Sequence, residues 1–315
     1  EDTAVPYTLD GDECTVSGTF PAGDYTLQAV FSGRITDAMH GIYPCYYEHD
    51  GQKKELLATQ FESHHAREAF PCIDEPEAKA TFDLTLVTEA SVAVLSNKPA
   101  RSSQTTKGRQ VTSFFTTPRM STYLLAFVTG ELHHVAARTT TGVDVRVWAT
   151  PVHASTSLQF ALDTTVRSLE FYDDYFGTPY PLPKCDLVAV PDFSVGAMEN
   201  WGLITFREVC LLAAQNASLT TKQYVAKVVT HELAHQWFGN LVTMRWWNDL
   251  WLNESFASLM EFVSADHLFP DWNIYLTMPQ RAAAPALRRD ATDGIQAVQC
   301  EVRHPDEINA LFDPA

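Results

Sequence analysis

The sequence predicts an α+β protein, with an antiparallel β domain over residues 1–131 followed by an α+β domain over residues 132–315. Three observations predict it. Apolar residues alternate in short runs through the first part, the period of a strand with one buried face. After Glu131 they recur at helical spacing in three long segments. Turn residues punctuate the alternating runs, at Pro21-Ala22-Gly23-Asp24, Asp50-Gly51, Asn97-Lys98-Pro99 and Lys107-Gly108.

Strands are expected at 25–31, at 81–87 with Phe82, Leu84 and Leu86 on one face, and at 123–128, closed by Gly130. Another strand is expected at 143–148. A helix over 155–176 follows, because Leu158, Ala161, Leu162, Val166 and Leu169 share one face and Gly177, Pro179 and Pro181 stop it. Residues 186–190 form an unbroken apolar run after Asp186, the signature of a buried strand. Two further helices are expected at 220–238, closed by Gly239-Asn240, and at 249–268, stopped by Pro270.

Hydrophobic residues make up 45% of the 315, enough for a large core and too many for a disordered chain. The formal net charge is −17, from 22 Lys+Arg against 39 Asp+Glu. Such a body is repelled by nucleic-acid phosphates and anionic membranes, so no nucleic-acid partner is expected. No stretch has the length of a transmembrane helix, and Glu1-Asp2-Thr3 does not start a signal peptide, which points to a cytoplasmic monomer. The six cysteines show no Cys-x-x-Cys spacing and are expected as reduced, buried thiols. Of two glycosylation sequons, at Asn216 and Asn253, the second falls beside a candidate metal ligand where a glycan would not fit.

The chemistry is carried by His231-Glu232-Leu233-Ala234-His235. Positions i and i+4 of a helix lie on one face, so two imidazoles there can share one zinc ion. Glu232 lies about 100° further round, near enough to serve a metal-bound water without ligating the metal. A catalytic zinc needs a third protein ligand and an open position. Glu254, with eighteen residues between it and His235 and on the next expected helix, can be that ligand if residues 240–247 reverse the chain. Two histidines at helical spacing are commonly surface residues, and a Glu near a helix start is commonly a solvated cap. Against that stands the setting of Glu254 among Trp251, Leu252 and Phe256, where an unpaired carboxylate is expensive.

This spacing of two histidines and a glutamate resembles the M1 family of zinc aminopeptidases, the gluzincins. Gly196-Ala197-Met198-Glu199-Asn200 matches that family's exopeptidase motif. Further segments resemble its puromycin-sensitive branch: 59–62, 69–76, 120–124, 176–184 and 235–243, so the likeness covers essentially the whole chain. The resemblance implies a thermolysin-like catalytic domain holding one Zn2+ per chain on His231, His235 and Glu254, with Glu232 as general base. It implies that Glu199, aided by Glu62 and Gln60, grips the free α-ammonium of a peptide substrate. Backbone groups of Gly196 and Ala197 would hold the substrate strand, Val195 would line the side-chain pocket, and Met198 and Asn200 complete the substrate-binding motif. A leukotriene-type epoxide hydrolase shares the zinc pattern but carries Gly where Ala197 stands; a non-catalytic scaffold on this fold would have lost zinc ligands.

Three departures stand out. The family's oxyanion-stabilising tyrosine would fall a few residues past Ala315, and Tyr275 comes too early. The chain begins inside the family's N-terminal domain and lacks its C-terminal part, so a fragment of low activity, missing one oxyanion donor, is expected. Ser63-His64-His65 replaces the usual Thr-Asp before Ala66-Arg67, and adjacent histidines on an extended chain point apart, which argues against a second metal there.

Overall fold

The computed structural model describes residues 3–293, 295 and 297–312. The first part is built from β1 (Tyr7–Asp10), β2 (Glu13–Val16), β3 (Gly41–His49), β4 (Gln52–Gln60), β5 (Thr85–Glu89), β6 (Ala93–Ser96), β7 (Ala100–Thr106), β8 (Arg109–Phe114) and β9 (Phe127–Gly130). All their pairings are antiparallel: the hairpin β1-β2, a four-stranded sheet ordered β3-β4-β9-β6, and a three-stranded sheet ordered β5-β8-β7.

Three expected strands differ in detail. Residues 25–31 form no strand. Alternation becomes a strand only with a partner ladder, and here Tyr25, Leu27, Val30 and Phe31 face solvent without one. The 81–87 run does put Phe82, Leu84 and Leu86 on its more buried face, but its first half bonds to 114–117 outside the regular ladder: Thr117 N–H donates to the Phe82 carbonyl and Phe114 N–H to that of Leu84. In 123–128 the ladder is interrupted by Asn97, whose amide donates to the Leu124 carbonyl at 2.7 Å and accepts from the Ala126 N–H at 3.0 Å. The segment becomes a 3-10 turn (Thr122–Leu124), and pairing starts only at Phe127.

The second part contains β10 (His133–Arg138), β11 (Asp144–Ala149), α1 (Gln159–Phe176), β12 (Lys184–Val190), β13 (Ala197–Met198), β14 (Leu203–Arg207), α2 (Glu208–Leu211), α3 (Leu219–His235), α4 (Trp251–Leu268) and α5 (Ala284–Asp290). Its mixed sheet runs β10-β11-β12-β14-β13, with β11, β12 and β14 parallel and both edges antiparallel. Every residue of β12 is buried, as a central strand covered on both faces requires. Lys184 and Asp186, its charged members, pair at 2.7 Å, and Arg146 adds a second 2.7 Å contact to Asp186.

Helix α1 ends where expected, with Gly177 left-handed at φ +61°. Ser218 caps α3 by accepting from the Thr221 N–H, and α3 stops at His235, three residues earlier than expected. The Tyr172 hydroxyl ties α1 to α3 through the Thr230 carbonyl at 2.8 Å. One core cluster runs from Tyr43 and Leu56 through Val147 and Leu187 to Leu233 and Met260. All six cysteines are free; Cys45, Cys185 and Cys210 are buried as expected, while Cys14 is exposed and Cys72 and Cys300 are intermediate. Among the described residues no helix is long and apolar enough to cross a membrane.

Candidate active site

The chain reverses after α3 through a turn in which Gly239 N–H donates to the Val242 carbonyl and Asn240 N–H to that of His235. A Cβ at Gly239, whose φ is +129°, would meet the Asn253 amide at 3.0 Å. This close approach lets the first turn of α4 lie against the last turn of α3. His231, His235 and Glu254 meet there.

His231 Nε2 and His235 Nε2 are 3.1 Å apart, and Glu254 Oε2 lies 3.3 Å from the first and 3.6 Å from the second. Each ring's other nitrogen is engaged: His235 Nδ1 donates to the Phe238 carbonyl at 3.1 Å, and His231 Nδ1 faces Glu261 Oε2 at 3.3 Å. Both Nε2 atoms therefore converge on one another and on a carboxylate, and in the neutral rings their lone pairs are free for a cation between them. A tetrahedral ion with ligands at 2.0–2.1 Å has edges of about 3.4 Å, close to the three separations observed. The donor set fits zinc.

Glu232 is buried, and its Oε2 has no hydrogen-bond partner. Burial first, then neighbouring carboxylates, pushes its pKa up to about 8. Glu254 is held below the ordinary carboxylate range despite its burial, by His235 and His231 beside it. His235 is raised to about 9, because Glu199 and Glu254 outweigh the desolvation that lowers it.

On the other side of Glu254, Glu62 and Glu199 place carboxylate oxygens within 4.8 Å of each other and of Glu254. Both are raised, by burial first; Glu254 contributes for each, and the Glu199 charge adds further to Glu62. Glu199 follows the two-residue edge strand β13, in which Ala197 pairs with Phe206 and Met198 with Thr205. Its carbonyl accepts from Gln236 Nε2 at 3.1 Å and Asn240 Nδ2 at 2.8 Å, locking the segment to the end of α3. The Gly196 carbonyl accepts from the Arg207 N–H at 2.9 Å, Asn200 Nδ2 donates to Thr205, and Val195 is 44% exposed. Gln60, the last residue of β4, directs Nε2 at Met198 Sδ. One side-chain oxygen on each of Gln60, Glu62, Glu199 and Asn200 is buried without a partner, so the pocket is short of donors.

The structure brings His231, Glu232, His235, Glu254, Glu62 and Glu199 together, with Gln60 bonded to Met198 next to Glu199, while Val195, Gly196, Ala197 and Asn200 lie on the segment that carries Glu199. Sequence reasoning missed Glu261, whose Oε1 pairs with Lys227 at 2.7 Å while Oε2 faces His231. The signal was present: Lys227 and His231 are four apart on α3, and Glu254 and Glu261 seven apart on α4. Asn253, read in the sequence only as a sequon where a glycan would not fit, donates to the Tyr123 hydroxyl at 3.3 Å and is buried. Tyr275 sits in the turn Ile274–Thr277, its backbone N–H bonded to Asp266, which is itself about 18 Å of helical rise along α4 from Glu254. The tail beyond Phe312 lies outside the described residues. One expectation fails: His64 and His65 are not on extended chain and do not point apart. A turn precedes the 3-10 segment Ala66–Glu68, and their rings stack at 4.6 Å.

Two family models match the chain, the peptidase M1 N-terminal domain over residues 9–124 and the peptidase family M1 domain over residues 160–315. The chain belongs to the M1 peptidase family. An aminopeptidase N of Lactococcus lactis subsp. lactis is 59% identical over 93% of the chain and 35% of its own length. One from Lactobacillus delbrueckii subsp. lactis is 51% identical over 99% of the chain and 37% of its own length. Aminopeptidase M1-A of Oryza sativa subsp. japonica is 45% identical over 93% and 33%. The chain spans about a third of the length of these curated relatives. Their names do not single out the puromycin-sensitive branch.

Proposed function

We propose that this chain carries the zinc site and the amine-recognition site of an aminopeptidase that hydrolyses the first peptide bond of peptides with a free N-terminus. The observation that supports it is the sharing of Glu254: the same carboxylate borders the His231–His235 pair and the Glu62–Glu199 pair. A substrate ammonium between Glu62 and Glu199 then has only its first carbonyl within reach of the metal ligands. Gln60, with an unpartnered oxygen beside them, adds an acceptor for the third ammonium proton. His231, His235 and Glu254 would hold the zinc, which when bound supplies Lewis acidity to the scissile carbonyl and to the attacking water.

Glu232 takes the water's proton and passes it to the leaving amine. Its unpartnered Oε2 is available for that hydrogen bond, and a raised pKa, lowered again by a neighbouring cation, keeps it a proton carrier near neutral pH. The exposed edge of β13 offers backbone groups of Gly196 and Ala197 to an extended substrate, beside Val195, Met198 and Asn200. We also place the domain division near 131; it is supported by β9 ending in one sheet at Gly130 and β10 opening another at His133.

The test uses the full-length protein with matched peptides bearing free or acetylated N-termini. Sequential release from the free peptides alone is expected. Comparable kcat/KM on acetylated peptides would sink the amine ruler. Glu232→Gln should lose about 10²–10⁴-fold in kcat while keeping its zinc.

A further inference from the structure

A second group of metal-ligating side chains, sharing no residue with the first, lies at the entrance to β3. His40 Nδ1 is 2.8 Å from Glu68 Oε2, and His65 Nδ1 is 2.8 Å from Glu68 Oε1. The three candidate ligand atoms all fall within 4.8 Å of one another. The His40 and His65 rings stack at 4.1 Å, and His64 stacks on the other side of His65. Gly41, next to His40, has φ +65°, and a Cβ there would meet Glu68 Oε2 at 2.9 Å, so glycine makes room for the carboxylate. Burial works against the Glu68 charge, but the two imidazoles hold its pKa below the ordinary range.

We propose that His40, His65 and Glu68 form a peripheral site for a divalent first-row transition ion, distinct from the one at His231, His235 and Glu254. Two imidazoles and one carboxylate are the donor set such ions take, and solvent fills the remaining positions. With the carboxylate chelating, cis edges around an ion at about 2.1 Å are about 3.0 Å, which both 2.8 Å contacts approach. His40 stands in a partly exposed loop, so its ring can turn out of the stack to direct Nδ1 at the ion. Binding displaces the two Nδ1 protons that otherwise bridge to Glu68. The bound ion ties the loop before β3 to the 3-10 turn Ala66–Glu68, which closes the segment after Glu62. None of the three ligands belongs to the proposed catalytic set, so failure of either reading leaves the other standing.

The test counts metal per chain in the full-length protein after dialysis against Co2+, for wild type, His40→Ala and Glu68→Gln. Wild type should hold one ion more than either variant, and Glu68→Gln should weaken that extra ion at least about tenfold. Peptidase activity of the variants at saturating zinc should be unchanged. Should His40→Ala fold poorly, the isosteric Glu68→Gln decides. Equal metal counts in all three proteins overturn the proposal: the cluster is then two histidines hydrogen-bonded to a glutamate, or the extra ion sits elsewhere.

Discussion

At the scale of single residues, the site depends on what each ligand's far side touches. His235 is fixed by the Phe238 carbonyl, an acceptor that no side-chain substitution removes. His231 depends on Glu261, which itself depends on Lys227. A hydrogen bond from Nδ1 sets the tautomer and raises the basicity of Nε2, and its loss typically costs about 10–100-fold in metal affinity. Glu261→Gln should therefore release zinc to a competing chelator about 10–100-fold more readily, with circular dichroism unchanged. Retention equal to wild type would show that Glu261 serves only Lys227. Glu261 acts through His231 and is a positioning residue, so metal affinity is the readout that separates it from a merely structural one.

At the scale of elements, the geometry rests on the joints between strands and turns. Asn97 is one joint: its amide donates to Leu124 and Trp201 carbonyls, bridging the bend after β6 to the segment entering β14. Gly202 lies against it with φ +83°, and a Cβ there would approach the Asn97 carbonyl oxygen to 2.5 Å and Leu182 to 2.8 Å. Neither the positive φ nor the backbone contact can be relieved by a rotamer change. Gly202→Ala should destabilise the fold by about 2–4 kcal/mol, read as a lower urea midpoint. An unmoved midpoint would mean the β12–β14 register shifts freely. The elements beyond this joint were legible from sequence to different degrees. Residues 155–176 and 249–268 carry their own stop signals and hydrophobic faces. The 25–31 run carries only alternation, which specifies a strand's faces and not its partner.

At the scale of the whole molecule, a chain of net charge −17 gathers four glutamates, Glu62, Glu199, Glu232 and Glu254, around one pocket. Without a cation, burial favours protonation of Glu62, Glu199 and Glu232, while Glu254 stays ionised beside the two histidines. Glu232 is raised from 4.5 to about 8, so its stabilising contribution is complete below about 4.5 and is lost as pH rises toward 8. His235, raised from 6.5 to about 9, acts in the same sense over the upper part of that range. Chelator-stripped protein should therefore show a Tm that falls from pH 6 to pH 9. Glu232→Gln should flatten the fall, and so should zinc. A stripped protein whose Tm rises over this interval would contradict the assigned burial of these groups.

The amino-acid sequence by itself determined that His231 and His235 share a helical face, that Glu232 stands beside them, and that a second helix carries Glu254 after a reversal. These follow from the 3.6-residue period and from local stop signals, which act over a few residues and need no knowledge of neighbours. Only the tertiary structure decided that Glu62 and Glu199 meet at Glu254, that Glu261 backs His231, and that His40 faces His65 and Glu68. Those contacts join segments far apart in the chain, and packing at Gly239, Gly41 and Asn97 sets which side chains arrive opposite one another.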